Sequence, residues 1–399
     1  MVISPRSSEA RSCRLVDGRT SWASASRGIG AIVPIVRTGS ANRPGSAKTG
    51  TIVPNHVISP KASRRSLLAL TVVAGLTLTA CGDSSDSSSG APGNTDVAKG
   101  GSQFSVADAE TAKLGSDERS GVFLRTVKHA NGTTEIKAKP KRVVVLDTGE
   151  LDDVVSLGIT PVGIPATKGA NSIPSYLAGK VSGAKTVGTI QEPNLEAIAA
   201  LKPDLILGSK LCADKLYPQL SQIAPTVFSI RPGFPWKENF TLVGEALGME
   251  THTVSTLNAY QSKADNLKKA TTGDPKISLV RFMPGKIRLY ANKSLIGVIL
   301  KDAGLARPAN QNVDDLAVEI SAEKISEAGG GDFLFYTSYG KPAATGKTSV
   351  ISGTQWKNLP AVRNGKAIRV NDDVWFLGLG PTGAGLVLDD LAKYLTPKK

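Results

Sequence analysis

From about residue 140 onward, short apolar runs alternate with longer segments whose apolar residues recur at helical spacing. The short runs predict buried strands at 142–147, 159–164, 205–208, 227–230, 277–282, 287–290, 333–336 and 367–370. The longer segments predict helices at 150–157, 195–201, 239–247, 253–269, 295–303 and 384–395. This alternation favours an α/β fold in which helices cover the faces of a parallel sheet.

One stretch of the pattern occurs twice. Residues 195–208 and 322–335 each contain a helix with a glutamate near its start, then an aspartate, then an apolar strand, about 127 residues apart. A spacing this long is typical of two similar lobes, because solenoid repeats are much shorter. We therefore expect two Rossmann-like lobes with a ligand cleft between them, at the carboxyl ends of their strands.

Residues 61–80 have the features of a secretory signal peptide. Two arginines precede an apolar run over 67–80 that is too short for a comfortable bilayer span. The residues at 78–82, Leu-Thr-Ala-Cys-Gly, match the lipobox of bacterial lipoproteins, in which the cysteine becomes the acylated N-terminus. We expect Cys81 to carry lipid and to anchor the protein to the outer face of the cytoplasmic membrane. The Arg-Arg pair also resembles a twin-arginine signal, so the export route stays open.

The segments on either side of the signal peptide carry no fold signal. Residues 1–60 are rich in Arg, Ser, Gly and Pro without sustained periodicity, which predicts a dispensable leader or a start placed too early. Residues 81–121 begin with a Ser- and Gly-rich stretch and are predicted to be a flexible tether. A coil of that length has an r.m.s. reach of roughly 35 Å.

The charge of the chain is unevenly distributed. The formal net charge is +14, but residues 1–80 hold 11 Lys and Arg against 2 Asp and Glu. The rest of the chain is therefore only slightly basic, and it contains no basic run interleaved with aromatic residues. A nucleic-acid partner has little support from this pattern.

Five segments of the predicted lobes resemble the class III substrate-binding proteins of iron-siderophore and cobalamin importers. They lie at 140–159, 192–206, 236–248, 281–308 and 356–367, and the likeness covers roughly 122–397. The second and the last segments are typical of the class, and the fourth resembles its ferric-siderophore branch.

The resemblance implies an architecture and a partner. The family fold has two lobes joined by one long helix, which places an N-terminal lobe at 122–249, the helix at 250–272 and a C-terminal lobe at 273–399. It also implies a monomer that delivers a ferric siderophore to the permease of an ABC importer. In this class one acidic residue on each lobe meets arginines of the permease, and the repeat offers Glu196 and Glu323 for that role. Simple stabilisation of helix starts is the alternative role for both glutamates.

A ferric siderophore requires a particular kind of cleft. Its iron is already saturated by hydroxamate, catecholate or carboxylate oxygens, so we expect neither a metal site nor a cofactor in the protein. Arginine supplies a planar, permanently charged donor for such oxygens, and aromatic residues supply rigid walls. We favour a hydroxamate-type ligand, because a triply negative catecholate complex would call for more cationic residues.

Candidate ligand-binding residues lie in or just after predicted strands of the two lobes. An arginine that interrupts the apolar strand 277–282 is unusual for a merely solvated residue. Tryptophans beside strand ends are expected to be ligand walls or else core residues. The candidates are Arg281, Arg288, Arg231, Trp236, Tyr339, Trp356 and Trp375, the last predicted to lie in a loop.

Other functions have less support in the sequence. Beyond the signal peptide the chain has two histidines, His129 and His252, and no legible nucleophile–base set, so we expect no enzyme and no catalytic residues. If Cys13 is removed and Cys81 is lipidated, Cys212 has no intramolecular disulfide partner and is predicted to be a small packing residue. Haem or cobalamin remains the alternative ligand, with Tyr336 or Tyr339 available for haem iron. A lipid-anchored hydrolase is less favoured.

Overall fold

The computed structural model describes residues 108–397. The predicted leader, signal peptide, lipidated Cys81 and most of the tether lie outside these residues. The strands are β1 Arg125–His129, β2 Gly132–Ile136, β3 Val143–Val145, β4 Gly163–Ala166, β5 Lys185–Thr189, β6 Leu205–Ser209, β7 Thr226–Ser229, β8 Ile277–Met283, β9 Lys286–Tyr290, β10 Ala317–Ile320, β11 Phe333–Ser338 and β12 Ala367–Arg369.

Helices fill most of the connections between these strands. The α-helices are α1 Thr148–Ser156, α2 Ser175–Ala178, α3 Leu195–Ala200, α4 Lys210–Ala213, α5 Tyr217–Ile223, α6 Trp236–Ala246, α7 Glu250–Ala270, α8 Leu295–Asp302, α9 Pro342–Thr345, α10 Lys347–Ser352, α11 Thr354–Lys357, α12 Pro360–Arg363, α13 Asp372–Trp375 and α14 Pro381–Leu395. The 3-10 helices are Thr111–Lys113, Asp214–Leu216, Ala309–Gln311 and Ala322–Gly330. Within 108–397, no helix combines the length and apolar character that a bilayer span requires.

The first lobe is built on an all-parallel sheet with strand order β5-β4-β3-β6-β7. Its central strand β3 is fully buried along its length, which explains why this stretch of sequence is continuously apolar instead of alternating. The two-stranded β1–β2 hairpin lies beside this sheet, where Ala130 N donates to Phe228 O. The α/β prediction for this lobe is confirmed.

The second lobe has a mixed sheet with strand order β10-β9-β8-β11-β12. Strands β8, β11 and β12 are parallel, whereas β9 and β10 run antiparallel to their neighbours. The reversal after β8 takes only Pro284 and Gly285, and Gly285 has φ +76°. A two-residue connection can join only antiparallel strands, because a parallel pair needs a long crossover. The two-lobed α/β fold is confirmed, with this antiparallel edge as a difference from the prediction.

The internal repeat has a structural basis in its aspartates. Asp204 accepts hydrogen bonds from the backbone N–H groups of Lys141 and Arg142, both at 2.8 Å, at the entrance to β3. Asp332 accepts from Lys276 N at 2.8 Å, at the entrance to β8. Each aspartate thus satisfies backbone donors where the central strand of its lobe begins.

Helix α7 carries the chain from one lobe to the other and lies within the interval predicted for the connecting helix. It packs against the last helix, α14. Lys263 Nζ on α7 donates to Gly385 O at 3.1 Å and to Asp389 Oδ2 at 2.8 Å. Since α14 also packs against α1 of the first lobe, the two lobes share more than one contact.

Candidate ligand cleft

A cavity lies between the lobes at the carboxyl ends of their parallel strands. Its empty volume is about 900 Å³ including the open mouth, a size typical of ligand sites. The first lobe contributes Asp147, Thr148, Ile190, Gln191, Cys212, Pro232 and Gly233. The second lobe contributes Arg281, Met283, Arg288, Tyr290, Ser294, Leu295, Ile296, Leu316, Tyr339, Trp375, Phe376, Leu377 and Leu379.

Arg281 lies in β8 and borders this cavity, with 5% of its surface exposed. Its guanidinium makes a bidentate pair with Asp372, with Nε–Oδ1 at 2.8 Å and Nη2–Oδ2 at 2.6 Å. Nη1 donates to the hydroxyl of Tyr290 at 3.0 Å. A buried charge is stable only when it is paired in this way.

Aromatic rings enclose the same guanidinium. The Arg281 Cζ atom lies 4.8 Å from the ring centroid of Tyr339 and 5.0 Å from that of Phe376. The ring of Phe376 in turn lies 4.6 Å from that of Tyr290. Cation–π contacts and hydrogen bonds together hold the arginine in one orientation.

Arg288 lies directly opposite Arg281 in the antiparallel β8–β9 pair. It is 6% exposed, borders the cavity and donates from Nε at 3.1 Å and from Nη2 at 2.9 Å to Glu319 Oε1. Lys286 Nζ donates to the same oxygen at 2.8 Å. These contacts lower the pKa of Glu319, although partial burial opposes them.

The wall from the first lobe carries buried acids. Asp147 borders the cavity and caps helix α1 by accepting from Thr148 N at 2.6 Å. Burial raises the pKa of Asp147 to about 6. One turn along α1, burial and the neighbouring Asp147 raise the pKa of Glu150 to about 8, and Ser229 Oγ donates to Glu150 Oε1 at 3.2 Å.

Three of the seven predicted ligand residues border the cavity and keep a small part of their surface exposed: Arg281, Arg288 and Tyr339. Their binding role remains a prediction. Arg281 lies within β8, Arg288 lies within β9, and Tyr339 directly follows β11. On the first lobe, Arg231 is not among the lining residues. Its guanidinium lies over the ring of Phe234 at 5.6 Å, and Pro232 and Gly233 border the cavity in its place.

The predicted tryptophan lining is wrong for two residues. Trp236 is fully buried in the first-lobe core, where its ring meets Tyr260 edge-on at 4.8 Å. Trp356 packs against Phe282 and Tyr336 in a separate core of the second lobe. Large rings that find an apolar layer near their own helix are buried there and do not reach the cleft.

Trp375 is a third correction. It ends the short helix α13 and does not lie in a loop. It adjoins the cavity, but its side chain is 0% exposed. Its ring stacks on Phe335 at 4.9 Å and its Nε1 donates to Asp390 Oδ2 at 3.0 Å. The indole therefore supports the wall from behind. The adjacent Phe376 faces Arg281.

Cys212 borders the cavity after β6, where its Sγ donates to Asp147 Oδ2 at 3.7 Å. The expectation that Cys212 has no disulfide partner applies to the processed, lipidated chain and stays a prediction, because Cys13 and Cys81 lie outside the described residues.

The predicted docking residues lie elsewhere on the two lobes. Glu196 is an exposed residue in the first turn of α3, and Glu323 is exposed at the start of the 3-10 helix Ala322–Gly330. Hydrogen bonding to Ser321 lowers the pKa of Glu323. Both glutamates are exposed surface residues outside the cavity lining.

Sequence reasoning missed four residues that shape the cleft: Tyr290, Glu319, Asp372 and Phe376. Asp372 lies two residues after the strand predicted at 367–370, and an acid shortly after a strand end is a signal that could have been used. Glu319 lies in β10, a strand that the sequence pattern did not predict.

The sequence of this chain matches a known protein family. A family model for periplasmic binding proteins matches residues 143–374, which is more than half of the chain. The chain belongs to this family. The match extends through both lobes and includes Arg281 and Arg288 of this periplasmic binding protein.

Individual relatives narrow the comparison. The probable siderophore-binding lipoprotein YfiY of Bacillus subtilis is 36% identical over 71% of this chain and 91% of its own length. The Fe(3+)-citrate-binding protein YfmC of Bacillus subtilis is 33% identical over 65% of this chain and 82% of its own. Among solved structures, the crystal structure of Staphylococcus aureus SirA complexed with staphyloferrin B superposes on this chain with a TM-score of 0.63. The two sequences are 35% identical, and the match covers 68% of this chain and 98% of the SirA chain.

Proposed function

We propose that this periplasmic binding protein captures a ferric siderophore in the cleft between its lobes and delivers it to the permease of an ABC importer. The relatives named above for siderophores and ferric citrate support this proposal. The observation that carries it is the pair of buried arginines, Arg281 and Arg288, which face one cavity from adjacent strands. Oxygen-rich ferric chelates offer the acceptors that such donors bind.

The cleft favours a ferric complex of low net charge, such as a ferric hydroxamate. Both arginines already have carboxylate partners, Asp372 and Glu319. Much of the remaining lining is apolar, namely Ile190, Pro232, Met283, Leu295, Ile296, Leu316, Leu377 and Leu379. Apolar walls suit the organic shell of a chelate. Ferric citrate is the second ligand to test, because of the 33% identical relative.

Binding should be measured by titration calorimetry with a ferric hydroxamate, ferric citrate and the matching iron-free chelators. We expect a Kd in the micromolar range or tighter for one ferric complex. The iron-free chelator should bind much more weakly, because iron fixes its shape in advance. Arg288→Ala should weaken binding by about 1.5–3 kcal/mol, the range for a hydrogen bond to a charged group.

The control for Arg288→Ala is Arg363→Ala at the end of α12, outside the cavity lining. That variant should bind like the wild type. If Arg288→Ala and Arg281→Ala both keep wild-type affinity, neither arginine binds the ligand. If the wild type binds no ferric hydroxamate, ferric citrate or ferric catecholate, the proposed function is wrong.

We also propose that the protein is a lipoprotein held at the outer face of the cytoplasmic membrane through Cys81. The lipobox at 78–82 and the name of the 36% identical relative support this location. Partitioning into a detergent phase tests the anchor. Wild type should partition with detergent, and Cys81→Ala should stay in the aqueous phase.

Glu196 and Glu323 are proposed to dock the protein on the permease, one from each lobe. Their exposure and their matched positions in the repeat support this role. The double variant Glu196→Ala/Glu323→Ala should keep siderophore affinity and lose uptake in cells. Double substitution with Arg should impair uptake more severely, because it adds repulsion against permease arginines. Normal uptake in both double variants would rule this role out.

A further inference from the structure

The two cleft arginines form an unusual pair. Arg281 and Arg288 are directly opposite each other on adjacent strands, and both are at least nine-tenths buried. Side chains at such positions have Cβ atoms about 4.5–5.5 Å apart, and like charges there repel. Burial adds a desolvation penalty to each charge. Such a pair is stable only if neighbouring groups compensate both charges.

Two carboxylates from other elements provide this compensation. Asp372, which opens α13, makes the bidentate pair with Arg281, and its side chain is 10% exposed. Glu319 on β10 pairs with Arg288 and with Lys286, and its side chain is 41% exposed. Solvent therefore screens the interaction of Glu319 with Arg288 more strongly than the interaction of Asp372 with Arg281.

The charges around the cavity balance closely. Arg281, Arg288 and Lys286 contribute three positive charges on the second lobe. Asp372 and Glu319 oppose them there, and Asp147 adds a carboxyl group on the facing wall. Arg288 can still donate a hydrogen bond to a ligand, because its contacts with Glu319 use Nε and Nη2 and not Nη1. The cleft is thus rich in donors without a large excess of positive charge.

We propose that Asp372 and Glu319 determine the ligand charge that this cleft accepts, by neutralising Arg281 and Arg288. The inference rests on the proposed function and specifies its ligand. A neutral ferric tris-hydroxamate receives the arginine hydrogen bonds at no electrostatic cost. A trianionic ferric tris-catecholate is repelled by the two carboxylates and by Asp147, because charges interact strongly in a site with little water.

The test compares the affinities of two probes, ferrichrome as the neutral complex and ferric enterobactin as the trianionic one. Wild type, Asp372→Asn, Glu319→Gln and the control Glu135→Gln are titrated with both. Glu135 is an exposed acid on the β1–β2 hairpin, outside the cavity lining. The measured quantity is the ratio of the two Kd values. A general loss of folding or packing weakens the binding of both complexes and does not favour one ligand charge over the other.

Wild type should favour the neutral complex. Asp372→Asn should shift the ratio toward the trianionic complex by about tenfold or more, and Glu319→Gln by about threefold, because solvent screens the exposed carboxylate. Glu135→Gln should leave the ratio unchanged.

A wild type that favours the trianionic complex would overturn the inference and keep the proposed function. Ratios that stay within twofold of wild type in both cleft variants would overturn it too. If Asp372→Asn does not fold, Glu319→Gln decides the outcome alone, and an unchanged ratio there counts against the inference. Failure of wild type to bind any ferric complex would instead reject the proposed function.

Discussion

Replacing Asp302 with alanine is expected to lower the free energy of unfolding by about 3–5 kcal/mol, the range for breaking a buried ion pair. Asp302 ends α8 in the second lobe. Its Oδ2 accepts from Lys237 Nζ at 2.9 Å and from the hydroxyl of Tyr260 at 2.8 Å. Lys237 and Asp302 have side chains that are 0% exposed.

The large effect follows from where these three residues lie. Lys237 belongs to α6 of the first lobe, and Tyr260 belongs to the connecting helix α7. The contact therefore joins both lobes and the helix between them. Removing the carboxylate takes the ion-pair partner Asp302 away from a buried ammonium group. Burial already lowers the pKa of Lys237 to about 8 although Asp302 opposes that shift.

Two further variants separate this explanation from a general loss of packing. Asp389→Ala breaks the exposed pair of Lys263 and Asp389, whose side chains are 41% and 50% exposed, and should cost less than about 1 kcal/mol. The double variant Lys237→Met/Asp302→Leu should recover most of the lost stability, because it removes both charges and keeps the volume. Chemical denaturation measures all three variants. A double variant as unstable as Asp302→Ala would contradict the charge explanation.

Glu150→Gln is expected to stabilise the protein increasingly as the pH rises from about 5 to 8. The folded-state pKa of Glu150 is about 8 because of burial and the nearby Asp147, whereas its ordinary value is 4.5. The folded protein therefore binds more protons than the unfolded chain in this interval. The contribution of Glu150 to the free energy of unfolding is complete below pH 4.5 and is lost as the pH rises through 8. Glutamine has the shape of the protonated carboxyl group and does not ionise. At pH 8 the free energy of unfolding of the variant should therefore exceed that of the wild type by on the order of a few kcal/mol.

The measurement is the difference between the unfolding free energies of variant and wild type at several pH values. Taking the difference cancels His129, whose pKa burial lowers to about 4 and whose own stabilising contribution is lost as the pH falls from 6.5 toward 4. Glu135→Gln, at an exposed acid, should give a flat difference. A flat difference for Glu150→Gln as well would mean that Glu150 is ionised in the folded protein at neutral pH.

The sequence alone was enough to predict the two-lobed α/β architecture. Fully buried strands such as β3 require continuous apolar runs, and helices packed on a sheet require a helical period, so both patterns are local. The repeat was equally legible, because Asp204 and Asp332 meet backbone groups at the same point of each lobe. Arg281 could be selected for a related reason, since a charge inside a buried strand needs a special environment.

The tertiary structure alone decided which rings and charges meet in the cleft. Trp375 and Phe376 are neighbours in sequence, yet the indole is buried against Phe335 while Phe376 lies beside Arg281. Their directions depend on layers that come from distant parts of the chain. The same holds for Arg281, whose partner Asp372 lies 91 residues away. No local pattern encodes that pair, because the parallel strand order β8-β11-β12 brings the two residues together only when the sheet has formed.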